Sequence, residues 1–279
     1  GGSARIPHAT HGDYASFTTA ILNWLGYVAV APLEVMAIVE YMSDLFPWLD
    51  RTEGGAVSLT PAGSAVCVPL LFVIALINQR GLRFLAPSIT KSLGRGGVLG
   101  AIASGGAVVA FLGFRSTLEL AGEVKNGARV VPRVVVASLL TTLVVYVALS
   151  VAFVGSLASS DLANGWDRLS DSTGAGPFTT IAAALGLSWL ATILYVDAAV
   201  SPGGTGLIMA GVTARINRAI ALNGHGPTFL ARLNRFGVPG LSLWINFAVG
   251  LVLLLPFPGW QAMMTVVASS LVLSLAFGV

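Results

Sequence analysis

Residues 134–157 read VVVASLLTTLVVYVALSVAFVGSL, 24 consecutive positions without a charged side chain. As an α-helix such a run is about 36 Å long, enough to cross a hydrocarbon core of about 30 Å. Its apolar residues do not keep to one face, which is the pattern of a helix surrounded by lipid and by other helices. Working outward, similar runs lie at residues 17–45 (interrupted by Pro32), 62–78, 98–120, 178–212, 238–257 and 261–279. The run at 178–212 is long, and the stretch Ser201-Pro202-Gly203-Gly204 is expected to break it.

Composition supports the same reading. Hydrophobic residues make up 55% of the chain, charged residues 10%, and the mean hydropathy is +0.84. A soluble domain carries about a quarter Asp, Glu, Lys and Arg, so too little charge is present to cover a water-facing surface. The chain is read as an all-α integral membrane protein, residues 1–279 forming a single transmembrane domain of about seven helices. Cys67, in an apolar run, is a small buried hydrophobe with no internal disulfide partner. His8, His11 and His225 are too scattered for a metal site, and no cofactor is implied.

The loops alternate in charge. Arg80, Arg83, Lys91 and Arg95 make one basic, Lys125, Arg129 and Arg133 a second, and Arg215, Arg218, Arg232 and Arg235 a third. Asp44, Asp50 and Glu53, and then Asp161, Asp167 and Asp171, make two others acidic. Basic loops face the cytoplasm. This leaves a parity failure: the single run 98–120 joins two inside loops. Residues 81–97 are too short and too basic to cross, so either a span is missing or 98–120 is re-entrant; the missing span is favoured. Topology explains the arginines without nucleic-acid binding.

Four ionisable residues fall at membrane depth: Glu34, Arg115, Glu119 and Asp197. Such residues are costly there and mark substrate or ion pathways when they do not simply pair. Glu34 has the alternative of pairing with a neighbouring helix, and Glu119 that of reaching the loop one turn away. Arg115 and Asp197 lie deeper. The small residues Ala103-Ser104-Gly105-Gly106-Ala107 precede Arg115 and suit either close helix packing or local unwinding. Asp197, Ser201 and Thr205 recur every fourth residue, which puts a carboxyl and two hydroxyls along one helix face. Such oxygens suit a proton or a Na⁺ ion; a kinked helix with packed hydroxyls is the other reading. No H-E-x-x-H, G-x-S-x-G or Cys/His pairing is present, so no enzyme is predicted.

The segment Phe111-Leu112-Gly113-Phe114-Arg115 through Gly122-Glu123-Val124-Lys125-Asn126, then Arg129-Val130-Val131-Pro132-Arg133, resembles the sixth helix and following loop of the amino acid–polyamine–organocation (APC) superfamily. It departs from that pattern at Gly127, where proline is usual, and at Arg115, where many members carry Glu or Gln. Ile77-Asn78-Gln79-Arg80-Gly81 resembles the end of the family's fourth helix. Asp197-Ala198-Ala199-Val200-Ser201-Pro202-Gly203-Gly204-Thr205-Gly206 looks like the eighth helix of bacterial proton-coupled permeases, in particular the aspartate–proton symporters.

The resemblance implies an incomplete inverted-repeat, LeuT-like APC transporter fold. Family helices 3, 4, 6, 7, 8, 9 and part of 10 would be present, with helices 1, 2 and most of 5 absent; the missing fifth helix, between Arg83 and Val98, would explain the parity failure. It implies secondary active transport of amino acids across the bacterial cytoplasmic (inner) membrane, proton-coupled, with Na⁺ ranked behind the proton. Phe111, Leu112, Gly113, Phe114 and Arg115 would bind substrate, Phe114 as an aromatic lid. An arginine there pairs with a side-chain carboxylate, which favours acidic amino acids. Asp197, Ser201 and Thr205 would form the coupling site. Without helix 1 the chain is not expected to transport alone, and a non-transporting, transporter-derived membrane protein is the alternative.

Overall fold

The computed structural model describes residues 2–43, 45–53, 56–80, 126–157, 177–257 and 259–278. The span expected at 98–120 and the parity question around 81–97 lie outside them. Seven α-helices occur among the described residues: α1 (Gly2–Met42), α2 (Pro61–Gln79), α3 (Gly127–Ser156), α4 (Pro177–Ala184), α5 (Ser188–Leu222), α6 (Gly240–Leu254) and α7 (Trp260–Gly278). Among the described residues, four segments are long and apolar enough to cross a membrane: Pro7–Met42, Pro61–Gln79, Arg129–Ser156 and Ser188–Leu222. Helices α6 and α7 are apolar but shorter.

The core lies where α1 packs against α5 and α7, with α2 and α6 closing the other side. Val35, Met36 and Val39 of α1, Val212 and Ile216 of α5, and Met263 and Val267 of α7 are buried in it. Close approach depends on missing side chains. A Cβ added at Gly26 would lie 2.8 Å from Leu271 Cδ2, so a larger residue would force the Leu271 side chain aside. Of the four long apolar segments among the described residues, the one in α3 is the least buried. Val136, Leu140, Leu143, Val147, Val151 and Val154 all expose large apolar surface, and the rings of Phe153 and Phe178, 5.0 Å apart, tie it to α4.

Three expectations are corrected. First, the protein is not purely helical. Strands β1 (Asp50–Glu53) and β2 (Ala56–Leu59) form an antiparallel hairpin, with Asp50 opposite Leu59. Thr60 joins it to α2: its hydroxyl oxygen accepts from the Gly63 N–H (3.0 Å) and its hydroxyl donates to the Trp48 carbonyl (2.8 Å). That is an N-cap followed by proline at the first helical position.

Second, α5 runs unbroken through Ser201-Pro202-Gly203-Gly204. A proline removes one N–H, here the donor for the Ala198 carbonyl, and a long helix bonded on both sides absorbs that loss. The break falls earlier, at Leu185-Gly186-Leu187. Gly186 takes φ +73°, the Leu187 N–H bonds the Ala182 carbonyl (2.8 Å) and the Gly186 N–H bonds Ala183 (3.0 Å). This is a glycine-terminated helix end of the Schellman type.

Third, α5 continues to Leu222, past the expected limit at 212. Arginines are good helix formers, and two of them find acceptors here. Arg215 bonds the Gly211 carbonyl (3.1 Å) and Arg218 the Ala231 carbonyl (3.3 Å). Beyond α5, a short 3-10 turn (Thr228–Ala231) leads to α6. Asn234 fixes this connection. Its Oδ1 accepts from the N–H groups of Phe236 and Val238, and its Nδ2 donates to the Gln79 carbonyl at the end of α2 (2.9 Å).

Candidate functional site

Glu34 lies on α1 two residues after Pro32 and is 7% exposed. Its Oε2 is buried and has no hydrogen-bond partner among the described residues. The glycine at position 206 of α5 brings it there. A Cβ at Gly206 would stand 3.1 Å from Ile74 Cδ1 and 3.5 Å from Glu34 Cβ, so α1, α2 and α5 meet closely at this position. One residue further, the Leu207 carbonyl accepts from Asn78 Nδ2 (2.9 Å), which also donates to the Ile74 carbonyl (3.1 Å). Asn78 thus bridges α2 and α5 beside the buried acid.

Asp197, Ser201 and Thr205 lie in register on α5, each half-buried. The Thr205 hydroxyl donates to the Ser201 carbonyl (3.2 Å), a bond within the helix that leaves its oxygen free to accept. Glu34 packs at Gly206, nine residues beyond Asp197, or about 13 Å along the helix axis. The two carboxyls therefore stand at separate levels along α5, Asp197 borne by it and Glu34 packed against it from α1. Thr205 is adjacent to the Glu34 contact, and Asp197 is two turns removed from it. Phe111, Leu112, Gly113, Phe114, Arg115 and Glu119 lie outside the described residues.

Several buried polar residues escaped the sequence reading. Asn246 Oδ1, on α6, accepts from Trp24 Nε1 of α1 (3.0 Å) and from Asn217 Nδ2 of α5 (2.9 Å), so one amide oxygen joins three helices. Ser274 of α7 donates to Asn23 Oδ1 of α1 (2.9 Å). The available signal was a lone amide inside an otherwise apolar helix, which in lipid must find a partner. A cavity lined by Tyr27, Pro32, Leu71, Ile74, Thr213 and Asn246 lies beside this network. It offers about 20 Å³, water-sized and far too small for an amino acid. Among the described residues, then, the arrangement holds Glu34 and Asp197 within a hydrogen-bonded helical frame.

A family model described as amino acid permease matches residues 54–278. The chain belongs to the amino acid permease family. With its apolar helices it is accordingly a multi-pass membrane protein, and its family is one of transporters rather than enzymes. A glutamate/serine transporter, AimA, of Bacillus subtilis (strain 168) is 31% identical over 316 aligned residues, covering 100% of this chain and 58% of the relative. An aspartate–proton symporter of the same organism is 31% identical over 308 residues, covering 99% of this chain and 59% of the relative. A probable threonine/serine transporter, YbxG, also of that organism, is 23% identical over 288 residues, covering 91% of this chain and 60% of the relative. The chain thus spans less than two thirds of the length of each of these permeases.

Proposed function

We propose that this permease carries the frame and the ion-coupling half of a proton-coupled amino acid transporter of the bacterial cytoplasmic membrane, with acidic amino acids as the favoured substrates. The observation that carries the reading is Glu34, a buried carboxyl whose Oε2 no described residue bonds, set against the helix that bears Asp197, Ser201 and Thr205. A carboxyl of that kind is a place to load and release a proton. Two relatives support the substrate class, since one is named for glutamate and serine and the other for aspartate with a proton.

In this reading Phe111, Leu112, Gly113 and Phe114 offer backbone and ring contacts to the substrate, and Arg115 grips its side-chain carboxylate through two N–H groups. Asp197, Ser201 and Thr205 form the coupling face, with Glu34 as a further proton site. The fold is the LeuT-like inverted repeat, of which this chain supplies about seven helices. The alignment with the glutamate/serine transporter runs over 316 positions for a chain of 279 residues, so the relative carries stretches that this chain lacks within the matched region. This supports an internal absence such as the one proposed between Arg83 and Val98.

The test is uptake of labelled aspartate, glutamate and serine by proteoliposomes containing this chain within a full-length permease, with and without an imposed proton gradient. Gradient-driven uptake of the acidic substrates, abolished by a protonophore, is expected, and Arg115→Glu should remove aspartate uptake while sparing serine. Uptake indifferent to the protonophore overturns the coupling, and unchanged aspartate uptake in Arg115→Glu overturns the substrate class. Absence of both uptake and binding supports the non-transporting alternative.

A further inference from the structure

Pro32 lies inside α1, and the helix continues through it. Proline has no N–H, so the Val28 carbonyl, four residues back, lacks the donor it would have in an unbroken helical ladder. Val28 is 3% exposed, and a buried carbonyl without a partner is costly. Val28 and Pro32 both line the cavity of about 20 Å³ between α1, α2, α5 and α6. The freed carbonyl therefore belongs to a turn that borders open space rather than a packed neighbour.

Two polar side chains from other helices line the same cavity. Asn246 of α6 is 6% exposed. Its Oδ1 is occupied, and because Trp24 Nε1 can only donate, that bond fixes which way the amide is turned. Asn217 Nδ2 takes the same oxygen. There remains Asn246 Nδ2, which is buried and has no hydrogen-bond partner among the described residues. Thr213 of α5, 1% exposed, donates its hydroxyl to the Met209 carbonyl at 2.6 Å. Its oxygen is left with acceptor capacity alone. The cavity is thus bordered by one donor and two acceptors, supplied by three different helices.

We propose that this cavity is the binding site of a single structural water, which accepts from Asn246 Nδ2 and donates to the Val28 carbonyl and to the Thr213 hydroxyl oxygen. One water needs about 10–15 Å³ of space and roughly two to four polar partners. The cavity supplies both. The set of partners also selects among small occupants. The amide N–H repels a cation, and two acceptors repel an anion. A neutral molecule that gives two protons and takes one fits, and water is the one of this size. Ordered water is also a way in which the backbone groups freed by proline in membrane helices are satisfied. Here it ties α1 to α5 and α6 and closes the turn of α1 at Pro32, two residues before Glu34. The site stands without the transport reading.

A structure of the full chain in lipid nanodiscs, at a resolution where ordered waters are visible, tests the site directly. Density should stand within about 2.7–3.2 Å of the Val28 carbonyl oxygen, Thr213 Oγ1 and Asn246 Nδ2. An empty cavity, or one filled by a side chain or a lipid tail, overturns the proposal. A double-mutant cycle on the unfolding equilibrium in mixed detergent micelles tests it a second way. Pro32→Ala restores a donor to the Val28 carbonyl, and Thr213→Val removes the other acceptor. Thr213→Val should lower the folded-to-unfolded ratio roughly threefold in the wild-type background, the worth of an average interhelical hydrogen bond. In the Pro32→Ala background, where the water has already lost a partner, the factor should be smaller. Equal factors in the two backgrounds overturn the shared water. Neither measurement involves uptake, so either can fail while proton-coupled uptake stands, and the reverse.

Discussion

The Glu40 carboxylate accepts a hydrogen bond from the backbone N–H of Trp260, 2.9 Å away and 220 residues further along the chain. Glu40 is close to the end of α1, and Trp260 is the first residue of α7. The first N–H groups of a helix have no partner within it, and a negative charge there also meets the positive end of the helix dipole. One side chain thus caps a helix that it does not belong to and fastens the first described helix to the last.

Glu40→Ala should therefore lower stability by about 1 kcal/mol, the usual cost of losing a capping side chain. Glu40→Gln keeps an acceptor oxygen and loses only the charge, so its cost should be smaller. Thermal unfolding in detergent, comparing the two variants, checks the order. Equal losses would mean that charge rather than the hydrogen bond carries the effect.

Gly63, in the first turn of α2, approaches the Leu49 carbonyl so closely that a Cβ at that position would overlap it. Leu49 is itself held by the Thr60 N–H, which donates to the same carbonyl at 3.0 Å. Gly63→Ala must push the hairpin away from α2, at a cost of about 1–3 kcal/mol. Limited proteolysis should cut the variant within residues 45–60 sooner than the wild type.

At Gly206 the outcome should depend on size. Alanine needs a shift of a few tenths of an ångström from Ile74 Cδ1, 3.1 Å from its Cβ, and should fold. Leucine has no room beside Glu34 and should cost about 1–3 kcal/mol or more. Glu34→Gln keeps the shape and removes the exchangeable proton. It should leave thermal stability near that of wild type while uptake loses its response to a proton gradient. A variant that still follows the gradient would remove Glu34 from the coupling path.

Asn246→Leu leaves Trp24 Nε1 and Asn217 Nδ2 without their shared acceptor. Interhelical hydrogen bonds in membranes average about 0.6 kcal/mol each, so a loss of about 1 kcal/mol is expected. In a double-mutant cycle, Asn217→Ala should cost less in the Asn246→Leu background than alone. Additive losses would mean that the bond is not a stabilising one.

The apolar runs at 62–78 and 261–279 reappear as α2 and α7 to within a residue or two, because lipid demands a minimum apolar length and little else. Elements set by single backbone conformations were harder to see. Ser201-Pro202-Gly203-Gly204 has the composition of a break, yet the helix closes over it. Gly186, in a stretch with no other warning, makes the break. The hairpin at 50–59 falls in a charged loop whose pairing no periodicity announced. At the candidate site, Glu34 and Asp197 were legible because charge in an apolar run stands out. Asn78, Asn217 and Asn246 did not stand out in the same way, because a neutral amide carries no charge and its partners lie on other helices.

The bond between Trp24 and Asn246, and that between Asn23 and Ser274, join positions 222 and 251 residues apart. At synthesis rates of about 5–20 residues per second, the partners emerge from the ribosome roughly 10–50 s after α1 has been made. During that interval α1 carries an indole N–H and an amide whose final acceptors and donors do not yet exist. The final packing of α1 is therefore completed only after the last described helices have been made.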